Sequence, residues 1–108
     1  MTRIARLYLE DIKESIAKIQ RYTQGQIYTD FVNDDKTVDS VVRNLEVIGE
    51  AARNMPQDVK GSHPEVPWDE IVGMRNKIAH EYFGIDHQII WKTIQDDLPI
   101  LLRQINRI

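Results

Sequence analysis

The chain has no cysteine. That removes disulfide staples and thiolate metal sites, and it suits a reducing compartment such as the cytoplasm. No apolar run approaches the roughly 18 residues that a membrane-crossing helix needs. The N-terminal MTRIARLYLEDIKESI lacks the unbroken apolar centre of a secretory leader. Histidine is scarce: His63, His80 and His87 show no HExxH spacing and no close pair on one helix face, so neither a metal site nor a cofactor is expected. Excess positive charge is missing too, because 14 basic against 17 acidic residues leave a formal charge of -3. Broad electrostatic adhesion to nucleic acid, which neutralises many phosphates with Lys and Arg, is thereby disfavoured, while a local basic patch stays open.

What is present is helical periodicity. A chain of 108 residues makes one domain with a real core. Ile4, Tyr8, Ile12, Ile16 and Ile19, joined by Ala5 and Leu7, recur at helical spacing over about 2–22. Gly25 breaks the pattern, and one further turn is expected at Tyr28 to Val32. Val38, Val41, Val42, Leu45, Ile48, Gly49, Ala52 and Met55 mark a second helix, capped by Asp35 or Thr37 and ended by Pro56. PQDVKGSHPEVP, with three prolines and a glycine, reads as a loop. Pro67 then opens a third helix whose first turn carries Asp69 and Glu70, where the helix dipole favours carboxylates.

That helix runs toward Gly84, and Asp86 caps a fourth with Ile90, Ile94, Leu98, Leu101 and Ile105 on one face. Pro99 should kink it about one turn earlier, because the Gln95 carbonyl loses its donor. Gly49 and Gly73, inside helices, suggest close helix approach. Without alternating strand patterns, the chain reads as an all-α bundle. Trp68 and Trp91 read as packing anchors, and His63 and His87 as surface residues in or beside loops.

The stretch GMRNKIAHEYFGID, residues 73–86, carries Arg75, His80 and Tyr82. The plain reading makes His80 a dipole-stabilising residue of a last helical turn and Tyr82 and Phe83 packing residues at the bundle end. The chemical reading starts from histidine's ionisation near neutral pH and from arginine's planar fork for phosphate oxygens. Together they suit cleavage of a phosphodiester whose own 2′-hydroxyl is the nucleophile, as in RNA. On a regular helix, however, positions five apart are turned about 140° from one another, whereas Asn76 and His80 share a face. Arg75 can still reach round, the helix can loosen near Gly84, or a second copy can complete the site.

The segments NLEVIGEAARNMP, PEVPWDEIVGMRNKIAHEYFGID and WKTIQDDLPILL resemble HepT proteins of the HEPN superfamily over nearly the whole chain. The superfamily's signature is an arginine, four to six residues, then a histidine, and Arg75 to His80 matches it. The resemblance implies an all-α, HEPN-type antiparallel bundle of four to five helices that dimerises, with two motifs facing one cleft. It implies a toxin with metal-independent endoribonuclease activity in which Arg75 and His80 act on RNA and Asn76 supplies a supporting hydrogen bond. It also implies an MntA-like minimal nucleotidyltransferase as antitoxin, silencing the toxin by adding AMP to Tyr82. Arg43, Arg53, Arg75 and Lys77 are the candidates for a basic patch near the cleft. The alternative is a non-catalytic helical partner or a nucleotide-binding subunit of the transferase, with Glu46 and Glu50, one turn apart, at the interface; the plain reading of that pair is a solvated or salt-bridged face.

Overall fold

A computed structural model describes residues 1–74 and 86–108 in full and the helical backbone at 75–80. Every regular element among these residues is helical: α1 (Arg3–Thr23), α2 (Tyr28–Val32), α3 (Asp35–Asn54), α4 (Gln57–Ser62), α5 (Trp68–His80), α6 (His87–Lys92) and α7 (Leu98–Asn106). A π-helical turn, Thr93–Asp97, joins α6 to α7 without a break. Helix α3 lies between α1 and α5, and α1 also meets α7. The molecule measures 41 × 28 × 20 Å, so it is two helices thick at its thinnest.

The core explains α1 and α3. Ala5, Leu9, Ile12, Ile16 and Ile19 of α1 are buried against Val38, Val41, Leu45, Ile48 and Ala52 of α3. The expected face of α1 needs correcting at its first turns, where Ile4 and Leu7 stay 59% and 54% exposed and Tyr8 is half-buried. The buried stripe is centred on Ala5, and successive 100° steps carry Ile4 about 100° and Leu7 about 160° away from it. Thr2 caps α1 by accepting from the Ala5 N–H at 3.1 Å, and Gly25, at φ 79°, supplies the left-handed backbone just past the helix.

Helix α3 is capped by Asp34, one residue before Asp35 and three before Thr37, the two expected candidates. Its carboxylate accepts from the Thr37 N–H at 3.2 Å and the Thr37 hydroxyl at 2.6 Å. Gln26 donates to the same carboxylate at 3.0 Å, tying the α1–α2 link to the start of α3. These hydrogen bonds, Thr37's first among them, hold the Asp34 carboxyl below its ordinary 3.8.

The stretch expected to be a loop contains α4. Pro56 ends α3, but its extended ψ of 144° also makes it the N-cap of the next helix, and Val59 is buried beneath the turn. Trp68 anchors the link as anticipated: it is 6% exposed and its indole N–H donates to the His63 carbonyl at 3.0 Å. Gln104 of α7 donates to the Glu65 carbonyl at 2.8 Å, so the end of α7 sits beside the start of α5. With residues 81–86 alone joining α5 to α6, α5 and the α6–α7 stretch run in opposite directions.

Pro99 acts where expected but by a different distortion. Rather than a simple kink, the preceding turn widens: the Leu98 N–H reaches back five residues to the Thr93 carbonyl. A proline without N–H at α7's first turn leaves the ladder one donor short, and an enlarged turn absorbs the deficit. The expectation of close approach at Gly73 is not met, since among the described residues a methyl group there would meet no atom within 4 Å. Gly73 instead lines an open groove of about 490 Å³ between α5 and α7, floored by Ile71, Leu98 and Leu101.

Candidate active site

Pro67 precedes α5, Asp69 and Glu70 occupy its first turn, and the helix continues through His80. Positions 75, 76 and 80 therefore all lie on regular helix, where 75 and 80 are about 140° apart around the axis and 76 and 80 are one turn apart. The side chains of Arg75, Asn76, Lys77 and His80 lie outside the described residues, as does Tyr82 altogether. The element that carries the motif is seated on α3, whose own buried side chains are satisfied by the core.

The candidate basic residues of α3 do not form one cluster. Arg43 and Arg53 are both exposed, but ten positions separate them by roughly 15 Å along the helix. Arg53 leans on Glu50 at 3.9 Å, and Glu50 also accepts from the Asn54 amide at 3.1 Å. Glu50 is thus part of a local polar chain and half-buried, while Glu46 is exposed. His63 and His87 are half-buried rather than plainly exposed. His63 lies 3.3 Å from Glu65, close enough for an ion pair when the ring is protonated. Among the described residues no three His, Asp or Glu side chains gather where a metal ion could sit. No helix described is long and apolar enough to cross a membrane.

Beyond the short link that follows α5 lies a feature the sequence reading missed. Trp91 is a packing residue as anticipated, its ring 5.2 Å from that of the fully buried Phe31 and 6.4 Å, edge-on, from that of Tyr28. Both Trp91 and Tyr28 are only half-buried, however. They line a groove of about 430 Å³ together with Gln88, Lys92, Gln95 and Asp96. The signal was present: Gln88, Trp91, Lys92 and Gln95 recur at steps of three and four along a helix whose other face is apolar. Tyr28 could not be assigned to it, because only tertiary packing brings α2 against α6.

The HepT-like family, described as "Ribonuclease HepT-like", matches residues 12–108. A protein of Thermococcus cleftensis named "Probable ribonuclease HepT" is 48% identical over 94% of this chain and 92% of its own length. Two further relatives carry provisional RNase names. That of Caldanaerobacter subterraneus subsp. tengcongensis is 43% identical over 95% of this chain and 92% of its own length. That of Methanocaldococcus jannaschii is 39% identical over 95% and 85%. No solved structure gives a significant match.

Proposed function

Because the chain belongs to the HepT-like family, we propose that it is an endoribonuclease and the toxin of a toxin–antitoxin pair, acting on RNA in the cytoplasm. The observation that carries this reading is the motif's setting: Arg75, Asn76 and His80 fall within one helix of a chain matched over residues 12–108. The reaction is transesterification. The ribose 2′-oxygen attacks phosphorus, the bond to the 5′-oxygen breaks, and a 2′,3′-cyclic phosphate remains. One histidine takes the 2′ proton and another protonates the departing 5′-oxygen, while arginine offsets charge on the phosphorane. Each chain brings one motif histidine, so the second comes from a second copy in a symmetric dimer. Asn76, one turn from His80, orients the reacting groups. No metal ion is required, since the proton transfers and the charge are met by side chains.

Regulation rests on Tyr82. An MntA-like minimal nucleotidyltransferase joins the tyrosine oxygen to the α-phosphorus of ATP and releases pyrophosphate. The added phosphodiester and adenosine occupy the phosphate position beside Arg75 and repel RNA.

The test uses purified protein and a single-stranded RNA. His80→Ala and Arg75→Ala should each slow cleavage on the order of 10² to 10⁴-fold with folding and oligomeric state retained, and chelators should leave the parent rate unchanged. Full activity in either variant overturns the assignment. After incubation with the transferase and ATP, intact mass should rise by one adenylyl group in the parent and not in Tyr82→Phe.

A further inference from the structure

We propose that the groove formed by Tyr28, Gln88, Trp91, Lys92, Gln95 and Asp96 is a nucleobase subsite that stacks and reads an unpaired base of the RNA strand; this rests on the ribonuclease reading above. Its chemistry is that of a base rather than of a phosphate. Two half-buried aromatic rings, held edge-to-face at 6.4 Å, supply a π surface on which any base can stack. Around them stand two amides, Gln88 and Gln95, each able to donate to and accept from a base edge, and one carboxylate, Asp96, which accepts from exocyclic amino groups. Among the described residues that line the groove the one cation, Lys92, lies 3.9 Å from both Asp96 and Asp97, so its charge is already offset and these residues together exert no net pull on phosphate. Phosphate handling is left to the motif.

Two features of the fold shape the groove, one a ring contact and the other the backbone. Trp91 is fixed from behind by the fully buried Phe31, 5.2 Å away, so the indole is a rigid platform and stacking costs little ordering. Gln95 and Asp96 lie in the π-helical turn Thr93–Asp97, where the widened backbone departs from the α-helical register. Such turns cluster at functional sites because they re-aim side chains that a regular helix would direct elsewhere. Connectivity keeps the groove near the motif. His87 follows His80 by seven residues, a span of at most about 25 Å, and Gln88 and Trp91 lie in the first turns that follow. The helix that carries the groove therefore starts within about 25 Å of the end of the motif's helix, a distance that a few nucleotides of extended strand can span.

The experiment labels the protein with 5-fluorotryptophan, which gives two fluorine resonances, assigned with Trp68→Phe. The probe is a 2′-O-methyl oligoribonucleotide hexamer, which presents bases but has no 2′-hydroxyl to react. On titration the Trp91 resonance should shift saturably while that of buried Trp68 holds, and an abasic hexamer should move neither. Tyr28→Leu should weaken hexamer binding on the order of 5- to 150-fold, Tyr28→Phe should restore it, and Gln88→Ala should change which bases bind best. The proposal is overturned by a Trp91 resonance that stays still while RNA is bound or cleaved, by an equal response to the abasic strand, or by parental affinity in Tyr28→Leu. A Trp91 shift in a protein that cuts no RNA keeps the subsite and removes the ribonuclease reading, so the two fail separately.

Discussion

Helices α1 and α3 solve a different problem from the stretch between α5 and α7. In the first pair, Ile12, Ile16, Ile19, Val41, Leu45 and Ile48 are fully buried, the helix starts are capped by Thr2 and Asp34, and no reactive group is exposed on the shared face. The second region carries the motif, a π-helical turn and two open grooves, with Ile89 and Ile100 left 41% and 48% exposed. Close packing supplies stability and leaves no room for a ligand, whereas grooves forgo apolar burial and leave backbone and side chains free to meet one. The contrast implies that stability and activity can be altered separately.

The largest expected effect on stability comes from the first region. Ile16→Ala removes a fully buried side chain from the α1–α3 contact and should cost about 2–5 kcal/mol, the range for deleting large aliphatic groups from a close-packed core. Chemical denaturation reads the change. RNA cleavage per folded molecule, measured well below the variant's melting temperature, should match the parent. A large loss of rate in fully folded Ile16→Ala would show that the two regions are coupled and the contrast false.

A smaller effect, of opposite sign, is expected in the second region. Gly73 lies inside α5, where glycine costs about 1 kcal/mol relative to alanine, and among the described residues the added methyl group meets nothing within 4 Å. Gly73→Ala should therefore raise stability by about 0.5–1 kcal/mol, seen as a higher denaturation midpoint. A lowered midpoint would mean that something beyond the described residues fills the space beside Gly73 and resists the methyl group. Between the two lies Trp68→Phe, which leaves the His63 carbonyl without its 3.0 Å donor and should cost about 1 kcal/mol.

The same contrast explains which parts of the molecule were legible in the sequence. The α1–α3 core follows from period alone, because burial on one face forces the three- and four-residue spacing of Ile12, Ile16 and Ile19. Leu7 misled because an apolar residue on the far face of the helix looks the same in the sequence as one within the core until the helix phase is fixed. Helix α4 was hidden by Pro56 and Gly61, which signal a loop in a linear reading though a proline can also open a helix. The motif was legible as a string with the polar spacing of a helix, and α5 bears out that helix at 75, 76 and 80. The Tyr28–Trp91 groove was not, since it depends on α2 folding back onto α6 across about sixty residues of chain, a non-local contact that no local pattern encodes.

The smallest effect expected is also the one with the clearest dependence on conditions. Asp34 holds the start of α3 through Thr37 and the α1–α2 link through Gln26, and those hydrogen bonds keep its carboxyl below the 3.8 expected of it in the unfolded chain. A carboxyl depressed on folding adds stability that is fully present above its unfolded value and is lost as pH falls through the lower folded value. Asp34→Asn preserves a capping oxygen for the Thr37 N–H but removes the charge. At neutral pH it should melt slightly below the parent. As the pH is lowered from 3.8 through the lower folded value the two melting curves should converge, because the folded parent carboxyl takes up its proton there and loses the same interaction. A gap that stays constant down to pH 2 would assign the effect to cap geometry alone. A gap that widens would contradict the direction of the shift.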